Sequence, residues 1–484
     1  MKKNILFLLS VLIATVSITA QTVSFDIHSA KKVSDGNAKP RFIGCSDNRM
    51  FQVEDHGRRT NTYTLVAYNY DMVEQQHASL GTGDSLEAYG GYINGQHIDL
   101  LLADLSKNGM RVYRDRRSLS TLETEGDPLE LCNLKGEKGD VFDFATATSP
   151  NGKLLAGIFM AQYQGQGADL RIALYNRELE EYWNMAVPSA TFNRAYLTDE
   201  GDVILYTLGN KKDKSCHFTV VDGESIHHYS FTLEPDEGTK IMESAFLRYG
   251  NGKIIVANTV REENHTVMPV GTNIDRIDIV CYDIHKNTLV TRKHPFTDQE
   301  THRLCNTKEK NSPRHHWVQF GQIDQTLADQ NGAYLMVSQG WNVMQGTIPT
   351  EYHTCGMMVM RVDADGKILW TRTQRYLAHV GWGWRRTIIP HWRNTADGIV
   401  LAWTDNAKNI TNPGNTPYKE FKATMQKSTL NIWILHPDGR ETQSYVQTDK
   451  VVIDAPLHAL DTPGQYLAIL RDTQKTRLSF ITIE

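Results

Sequence analysis

Aromatic and basic side chains that could bind a ligand are concentrated in the second half of the chain. Eight of the nine tryptophans lie between positions 317 and 433. Flat aromatic faces stack on sugar rings or peptide side chains, and arginines bind carboxylates or phosphates through paired hydrogen bonds. If these residues share one face of the molecule, they form a site for an acidic glycan or a protein segment. The candidate ligand-binding residues are Arg314, His315, His316, Trp317, Trp382, Trp384, Arg385, Arg386, His391 and Trp392.

The same residues have a second interpretation, which is structural. Large aromatic side chains commonly pack between the units of a repeat fold, and arginines extend their aliphatic stems over them. The sequence leaves both interpretations open.

The histidines of this region are a second set of candidates, as metal ligands. None shows the tight His-x-x-x-His spacing that is typical of zinc ligands on one element, and adjacent histidines on a strand point to opposite faces. The chain also lacks a Cys-x-x-Cys pair, a Gly-x-Ser-x-Gly elbow and a glycine-rich phosphate loop. We therefore predict no metal site, no cofactor and no catalysis. The histidines concerned are His302, His315, His316, His353, His379 and His391.

Two kinds of turn alternate along the chain and indicate which elements carry these residues. Nine-residue segments, each with turn-forming residues between two extended stretches, begin at positions 68, 113, 175, 221, 282, 362 and 435. Between them recur Asn-Gly, Asp-Gly or related turns, nearly all followed by a hydrophobic strand. Two hairpin turns per unit imply four antiparallel strands per unit. With almost no helical periodicity, this pattern predicts an all-β fold, a β-propeller of four-stranded antiparallel blades.

We predict eight blades, with seven as the alternative if the weak second unit is an insertion. The final unit lacks its fourth strand, and the extended stretch 22–27 belongs to no unit. Pairing this N-terminal strand with the last strand would close the ring and cover two exposed edges. The predicted propeller domain spans residues 21–484, with blades at about 42–82, 86–135, 139–188, 189–236, 238–298, 315–376, 380–448, and 450–484 completed by 22–34.

The turn at residues 363–370 has a recognisable sequence, Asp-Ala-Asp-Gly-Lys-Ile-Leu-Trp. It resembles the Asp-Ala-x-Gly-Lys-x-Leu-Trp turn of quinoprotein-like (PQQ-like/WD40-like) propeller repeats, with a partial match at Trp183 and none elsewhere. That family includes pyrroloquinoline-quinone dehydrogenases, which usually carry the tryptophan turn in most blades, and cofactor-free scaffolds such as outer-membrane assembly lipoproteins. The resemblance therefore favours a cofactor-free scaffold. As a whole the chain resembles uncharacterised exported propellers of Gram-negative bacteria, from which no catalytic residue carries over.

The N-terminal residues 1–20 have the features of a cleaved signal peptide. Lys2 and Lys3 precede an apolar run too short to span a bilayer, and small residues lead to Ala20. Gln21 follows where a lipid anchor would need a cysteine. We therefore expect a periplasmic or secreted protein without membrane insertion.

The composition narrows the range of functions. The chain has 484 residues, 40% of them hydrophobic and 22% charged, and a net charge of −5, which argues against a nucleic-acid partner. The six cysteines are predicted mainly as buried thiols, with at least one disulfide as the alternative. Polar stretches 261–275 and 404–427 are predicted as long solvated loops.

From these features we predict a monomeric, non-enzymatic binding or scaffold protein. It would recognise a protein or glycan through one face of the ring. The alternative is a glycoside hydrolase or lyase acting on polysaccharide, with acids around the central channel, because one propeller architecture hosts many functions.

Overall fold

A computed structural model of the protein describes residues 23–27, 31–32, 39–55, 62–82, 86–106, 108–137, 139–163, 168–188, 192–209, 213–262, 274–304, 321–345, 348–381, 390–395, 398–409, 419–422, 427–448, 452–453, 457–460, 462, 464–471 and 475–483. Within this part of the chain the regular structure is almost wholly β-strand. It also contains an α-helix, α1 (Asp298–Leu304), and a 3₁₀ turn at Ala407–Asn409.

The strands of the first half, in chain order, are β1 (Val23–Ile27), β2 (Lys31–Lys32), β3 (Lys39–Ser46), β4 (Arg49–Asp55), β5 (Thr62–Asn69), β6 (Glu74–Thr82), β7 (Leu86–Asn94), β8 (His97–Ser106), β9 (Gly109–Ser118), β10 (Leu129–Lys135), β11 (Val141–Thr148), β12 (Leu154–Gln162), β13 (Ala168–Asn176), β14 (Glu181–Ala186), β15 (Arg194–Leu197), β16 (Val203–Thr207), β17 (Ser215–Val221) and β18 (Ile226–Thr232). The strands of the second half are β19 (Thr239–Gly250), β20 (Lys253–Glu262), β21 (Arg276–Asp283), β22 (Thr288–Pro295), β23 (Gly321–Asp329), β24 (Gly332–Gln345), β25 (Ile348–Asp363), β26 (Ile368–Gly381), β27 (His391–Thr395), β28 (Gly398–Asn406), β29 (Phe421–Lys422), β30 (Ser428–Leu435), β31 (Glu441–Thr448), β32 (Val452–Ile453), β33 (His458–Ala459), β34 (Gln465–Arg471) and β35 (Lys475–Ile483).

These strands form eight antiparallel sheets, which are the blades of a β-propeller. Blades 1 to 5 use the consecutive sets β3–β6, β7–β10, β11–β14, β15–β18 and β19–β22. Blade 6 is β23–β26 with β29 added at its outer edge, and blade 7 is β27, β28, β30 and β31. The prediction of an all-β propeller with eight blades is confirmed.

Blade 8 combines the two ends of the chain. Strand β35 pairs with β34 on one side and with β1 on the other, with Val23 opposite Ile483 and Ile27 opposite Ser479. Because β1 occupies the outer position, β35 has no open edge. The predicted closure of the ring by the N-terminal strand is therefore confirmed.

Several of the recurring nine-residue segments form one kind of tight turn. In each turn the N–H of the first residue donates to the carbonyl of the fifth residue, and the fourth residue has a positive φ. This is a type I turn followed by a left-handed residue, a common hairpin connection. The first residues, each paired with its left-handed residue, are Asn69 with Met72 (φ 57°), Asn176 with Leu179 (φ 59°), Asp363 with Gly366 (φ 75°) and His436 with Gly439 (φ 84°).

The first side chain in three of these turns also binds the turn backbone. The Oδ1 atoms of Asn69, Asn176 and Asp363 each accept a hydrogen bond from the N–H four residues on, at 2.8 Å. Short Asn and Asp side chains favour turns for this reason. The polar residues that marked these segments in the sequence therefore build the turns themselves.

Tryptophans after two of the turns pack against the following blade. A Cβ on Gly223 would approach Trp183 to 2.6 Å, and a Cβ on Gly439 would approach Trp370 to 3.0 Å. The Trp370 indole N–H also donates to the Pro437 carbonyl at 2.8 Å. The last residue of the Asp-Ala-x-Gly-Lys-x-Leu-Trp turn thus joins one blade to the next.

The hydrophobic cores lie between adjacent blades. Leu335 and Val337 of blade 6, for example, pack with Ile255 and Ile279 of blade 5 in one buried cluster. Strand β28, in the middle of blade 7, is buried at every position. Complete burial of such a side chain contributes about 1.5–3 kcal/mol, so these interfaces hold neighbouring blades together.

Strand order gives the ring two different faces. In each blade the first and third connections between strands lie on one face, which we call the turn face. The second connection and the link to the next blade lie on the other face, which we call the loop face. Strands β20 and β21, β22 and β23, β26 and β27, and β28 and β30 have their facing ends at the loop face.

Candidate functional site

Most of the predicted ligand-binding residues lie outside the described residues. These are Arg314, His315, His316, Trp317, Trp382, Trp384, Arg385 and Arg386. The two described candidates, His391 and Trp392, are adjacent on β27, the innermost strand of blade 7. The ligand-binding role of all ten remains a prediction.

Trp392 lies in a core cluster, with 7% of its surface exposed. Trp403 and Trp433 are buried in the same cluster, with ring centroids 6.5 Å apart and an edge-to-face orientation. The indole N–H of Trp433 donates to Glu441 at 2.9 Å, and Trp370 packs against the edge of the cluster. For these four tryptophans the structure shows packing between blades 6 and 7.

His391 lies on the other side of β27 from Trp392, because side chains alternate along a strand. It approaches His458 of blade 8, whose pKa falls to about 3 through burial and through the nearby Arg393 and His391. His458 in turn stacks on Phe42 of blade 1, with ring centroids 4.1 Å apart. His391 is therefore part of a basic group on the innermost strands where the ring closes.

Exposed charged residues on the innermost strands have both signs. Glu87, Asp143 and Glu243 come from blades 2, 3 and 5, and arginines come from blades 1, 4 and 7. Although Glu243 is reached by solvent, desolvation by the surrounding residues raises the pKa of its carboxyl, while a backbone N–H from Ile323 at 2.9 Å opposes this shift. The acids on the innermost strands are therefore mixed with arginines, and this distribution gives no specific support to a polysaccharide-acting enzyme. That alternative remains a prediction.

Blade 6 extends further toward the loop face than the other blades. Strands β24 and β25 remain paired through Gln345 and Ile348, and β26 pairs with β25 as far as Gly381. The extension begins at an irregularity beside Gly356, where α1 packs so closely that a Cβ would lie 2.4 Å from the Leu304 Cα. Gly356 also has a φ of 59°, so only glycine fits this position without strain.

Helix α1 is fixed at this point by a buried carboxylate. Thr297 and Glu300 form a capping box, in which Glu300 accepts the Thr297 N–H at 2.9 Å and Thr297 Oγ1 accepts the Glu300 N–H. His294 and Thr371 also contact the carboxylate, at 3.1 and 2.6 Å. Burial opposes ionisation of Glu300, but these hydrogen bonds lower its pKa to about 2.

The extended end of blade 6 brings together two histidines and a glutamate, Glu351, His353 and His379, which we call the His/Glu cluster. His353 and His379 are directly opposite each other on β25 and β26. Their rings stack with centroids 4.7 Å apart and an interplanar angle of 10°. The Oε2 atom of Glu351 lies 3.1 Å from His353 Nε2 and 3.6 Å from His379 Nε2. The His353 hydrogen bond lowers the pKa of Glu351.

A segment of blade 7 completes the surroundings of this cluster. Strand β29 pairs in parallel with β26, so Lys422 is opposite His379. Glu420, just before β29, places Oε1 3.9 Å from His353 Nδ1 and 3.7 Å from His379 Nδ1. Lys422 Nζ lies 3.3 Å from the other oxygen of Glu420.

Two asparagines hold β29 in place. Asn406 Nδ2 donates to the Glu420 carbonyl at 2.9 Å, and Asn409 exchanges two hydrogen bonds with the Lys419 backbone. Asp405 and Asn406 are buried at the end of β28. The prediction of a solvated loop from residue 404 is therefore wrong at its start, because this polar stretch continues a strand and then anchors the chain on blade 6.

The described cysteines include three buried thiols without disulfide bonds, Cys132, Cys216 and Cys281. Burial raises the pKa of Cys132 and of Cys216 to about 11. For these three the buried-thiol prediction is confirmed, whereas Cys305 is outside the described residues.

No helix in the described part of the chain is long and apolar enough to cross a membrane.

Comparison with known proteins gives no family assignment. No protein-family model and no curated protein sequence matches the chain. Similar solved structures include prolyl oligopeptidase B from Galerina marginata, with 9% identity and a TM-score of 0.40 over 93% of this chain and 55% of that one. The chain thus spans about half the length of that protein.

Two further similar structures are separate propeller domains. The WD40 domain of SCAP from fission yeast has 7% identity and a TM-score of 0.34, covering 95% of this chain and 98% of that one. The β-propeller domain of the trilobed protease from Pyrococcus furiosus has 11% identity and a TM-score of 0.35, covering 82% and 95%. Values this low carry no argument about function.

Proposed function

We propose that this protein is an exported, monomeric, non-enzymatic β-propeller that binds a glycan or a protein segment through the loop face. Export is inferred from the signal-peptide features of residues 1–20 and from the resemblance of the chain to uncharacterised exported propellers of Gram-negative bacteria. The binding role is inferred from the residues of the loop-face connections.

One structural observation supports the choice of face. The strands that flank residues 305–320 and 382–389 all end or begin at the loop face. These two segments contain eight of the ten candidate residues, and β27 supplies the other two at its loop-face end. A rigid ring with long connections on one face is a common arrangement for recognition, because the ring positions the loops and the loops provide specificity.

The proposal is tested by tryptophan fluorescence of the mature chain, titrated with a panel of neutral and acidic glycans. We expect a saturable change with an acidic glycan and a loss of binding of at least about tenfold in the variant Trp382→Ala/Trp384→Ala, checked for folding by circular dichroism. A tenfold loss corresponds to about 1.4 kcal/mol. An aromatic contact contributes about 0.5–1.5 kcal/mol beyond the area it buries, so removal of two tryptophan side chains is sufficient for this change.

The control is Tyr182→Ala. Tyr182 is an aromatic residue with 62% exposure near the turn-face end of β14, so its removal should leave the titration unchanged. A flat response to every glycan would overturn the glycan ligand and leave a protein segment as the ligand. That segment would be identified by cross-linking from variants of Arg385 or Arg386. A response that survives in the Trp382→Ala/Trp384→Ala variant would place binding elsewhere and contradict the choice of face.

A further inference from the structure

The His/Glu cluster combines side chains that sequence spacing does not bring together. Glu351 and His353 are two residues apart on β25 and so lie on the same face of the strand. Strand pairing then adds His379 directly opposite His353 and leaves Gly381 opposite Glu351. Because the glycine has no side chain, the Glu351 carboxylate can lean toward both imidazoles.

The ligand atoms of this cluster converge at distances suited to a metal ion. Zinc binds histidine nitrogen and carboxylate oxygen at about 2.0–2.2 Å, so two ligand atoms of a tetrahedral site lie about 3.3–3.6 Å apart. Glu351 Oε2 is 3.1 and 3.6 Å from the two Nε2 atoms. Each of the three residues offers one ligand atom, and these three atoms lie within 4.8 Å of one another. Among the described residues, Glu351, His353 and His379 are the group that meets this condition.

The second ring nitrogens face a different carboxylate. Both Nε2 atoms face Glu351, whereas both Nδ1 atoms face Glu420 at 3.7–3.9 Å. In metal sites the nitrogen that does not bind the metal usually donates to a carboxylate or a carbonyl, which fixes the orientation of the ring. Glu420 is positioned for that role behind both histidines.

We propose that Glu351, His353 and His379 bind a divalent transition-metal ion of the zinc type at the loop face, with Glu420 as the carboxylate that orients the two imidazoles. Two imidazoles and one carboxylate suit zinc and its neighbours, whereas Mg²⁺ and Ca²⁺ prefer sites made of oxygen ligands. Its residues are different from the ten glycan- or protein-binding candidates, so the metal proposal does not depend on the proposed function.

Three protein ligands leave a coordination position open. In zinc proteins, structural sites usually have four protein ligands, and an open fourth position binds water or a ligand group. Glu351 has a side-chain exposure of 44%, so the cluster can be reached from solvent. An oxygen donor from a bound molecule could therefore complete the coordination.

The first test is Zn²⁺ binding to the full mature chain, purified without a polyhistidine tag, in competition with a chromophoric chelator. We expect one Zn²⁺ per chain with a dissociation constant of micromolar or below. His353→Ala and His379→Ala should each weaken binding at least about 100-fold, and Glu420→Gln about 10-fold or more. Glu351→Gln alters an exposed side chain and serves as the ligand variant that leaves folding unaffected.

The matched control is His77→Ala. His77 forms an exposed pair with Glu74 at 2.7 Å, so this variant removes a histidine from a comparable His–Glu contact elsewhere in the ring. We expect it to bind Zn²⁺ as the unmodified chain does. The visible absorption of bound Co²⁺ provides an independent reading, with an intense spectrum for the unmodified chain and a weak one for Glu351→Gln.

Two outcomes would overturn the metal site. One is the absence of Zn²⁺ binding in the unmodified chain at concentrations well above micromolar. The other is binding that Glu351→Gln, His353→Ala and His379→Ala leave unchanged, which would assign the metal to surface histidines elsewhere. Glycan titration in the presence of a chelator separates this result from that of the proposed function, since the tryptophan response should not require metal.

Discussion

The two faces of the ring hold their connections in different ways. On the turn face, the turns at Asn69, Asn176 and Asp363 share one backbone pattern, and each is closed by its own first side chain. On the loop face, α1 is held by the buried Glu300 carboxylate and β29 by Asn406 and Asn409. The described turns of the turn face therefore repeat a local solution, whereas α1 and β29 on the loop face each depend on contacts of their own.

This difference explains why both proposed sites lie on the loop face. A local turn needs only residues close in sequence, so it repeats without involving the rest of the ring. A connection that packs on another blade brings together side chains from distant parts of the chain. The His/Glu cluster, with ligands from β25 and β26 and Glu420 from the blade 7 connection, arises in this way.

The largest effect should come from a glycine on the turn face. Gly398 has a φ of 137°, and a Cβ there would lie 2.1 Å from the Leu435 carbonyl oxygen. Gly398→Ala should lower the free energy of unfolding by about 4 kcal/mol, because it combines backbone strain with a collision against main chain. Urea unfolding measures this change.

The control for that glycine is Gly95→Ala, also in a first connection on the turn face. Gly95 has a φ of 59°, but no atom lies within 4 Å of an added Cβ. The expected loss is about 1 kcal/mol, from the left-handed conformation alone. Equal losses for the two variants would show that close packing does not constrain the turn face.

A smaller effect should come from the buried carboxylate that holds a loop-face connection. The pKa of Glu300 is about 2 in the folded chain, against an ordinary value of 4.5, so its ionised form stabilises the fold fully above about pH 4.5. This contribution is lost as the pH falls through about 2. Glu300→Gln should therefore cost about 2–3 kcal/mol at pH 7, and the difference from the unmodified chain should shrink between pH 4.5 and pH 2 in thermal unfolding.

Glu125→Gln provides the matched control for this pH dependence. Glu125 also pairs with a histidine, His97, at 2.5 Å, but both side chains are 38% exposed. Exposed pairs contribute little, so this variant should change stability by less than about 1 kcal/mol at every pH. A Glu300→Gln loss that stayed constant down to pH 2 would contradict the ionised, hydrogen-bonded carboxylate.

The smallest effect should come from removing one side-chain acceptor from a turn. Asp363 Oδ1 accepts the backbone N–H groups of Asp365 and Lys367, at 2.9 and 2.8 Å. Asp363→Ala should lower the free energy of unfolding by about 1 kcal/mol, because it leaves those groups to water. Asp363→Asn keeps an acceptor oxygen and should retain most of the stability. If both variants lost the same amount, the carboxylate charge and not its geometry would stabilise the turn.

The features predicted from sequence are those that depend on neighbouring residues. Turn-forming residues such as Asn, Asp and Gly marked the hairpins in the sequence, whereas the left-handed conformation of Met72 and Leu179 had no sequence signal. The missing fourth strand after residues 475–483 pointed to the closing role of β1. Register within a hairpin follows from its turn, so these local signals were sufficient for the fold.

The His/Glu cluster could not be predicted in the same way. His353 and His379 meet only through the pairing of β25 with β26, and Glu420 arrives on β29, a strand of two residues with no periodicity of its own. A search for ligands close together on one element therefore predicted no metal site. The tryptophan content does not distinguish a binding site from a core, because both use large aromatic side chains. Trp392 and Trp403 belong to a core.

The pairing of β1 with β35 also has a consequence for how the chain folds. The strand that completes the last blade, β1, precedes all the other described strands in the sequence, and its partner β35 follows them all. In each of the other blades the four main strands follow one another in the sequence, apart from the β29 segment that blade 7 sends to blade 6, but the eighth blade requires a contact between its first and last described strands. Loop-closure entropy makes such a contact slow to form, and until it forms β35 exposes an unpaired edge. The final step of folding and the removal of the last aggregation-prone edge are therefore the same event.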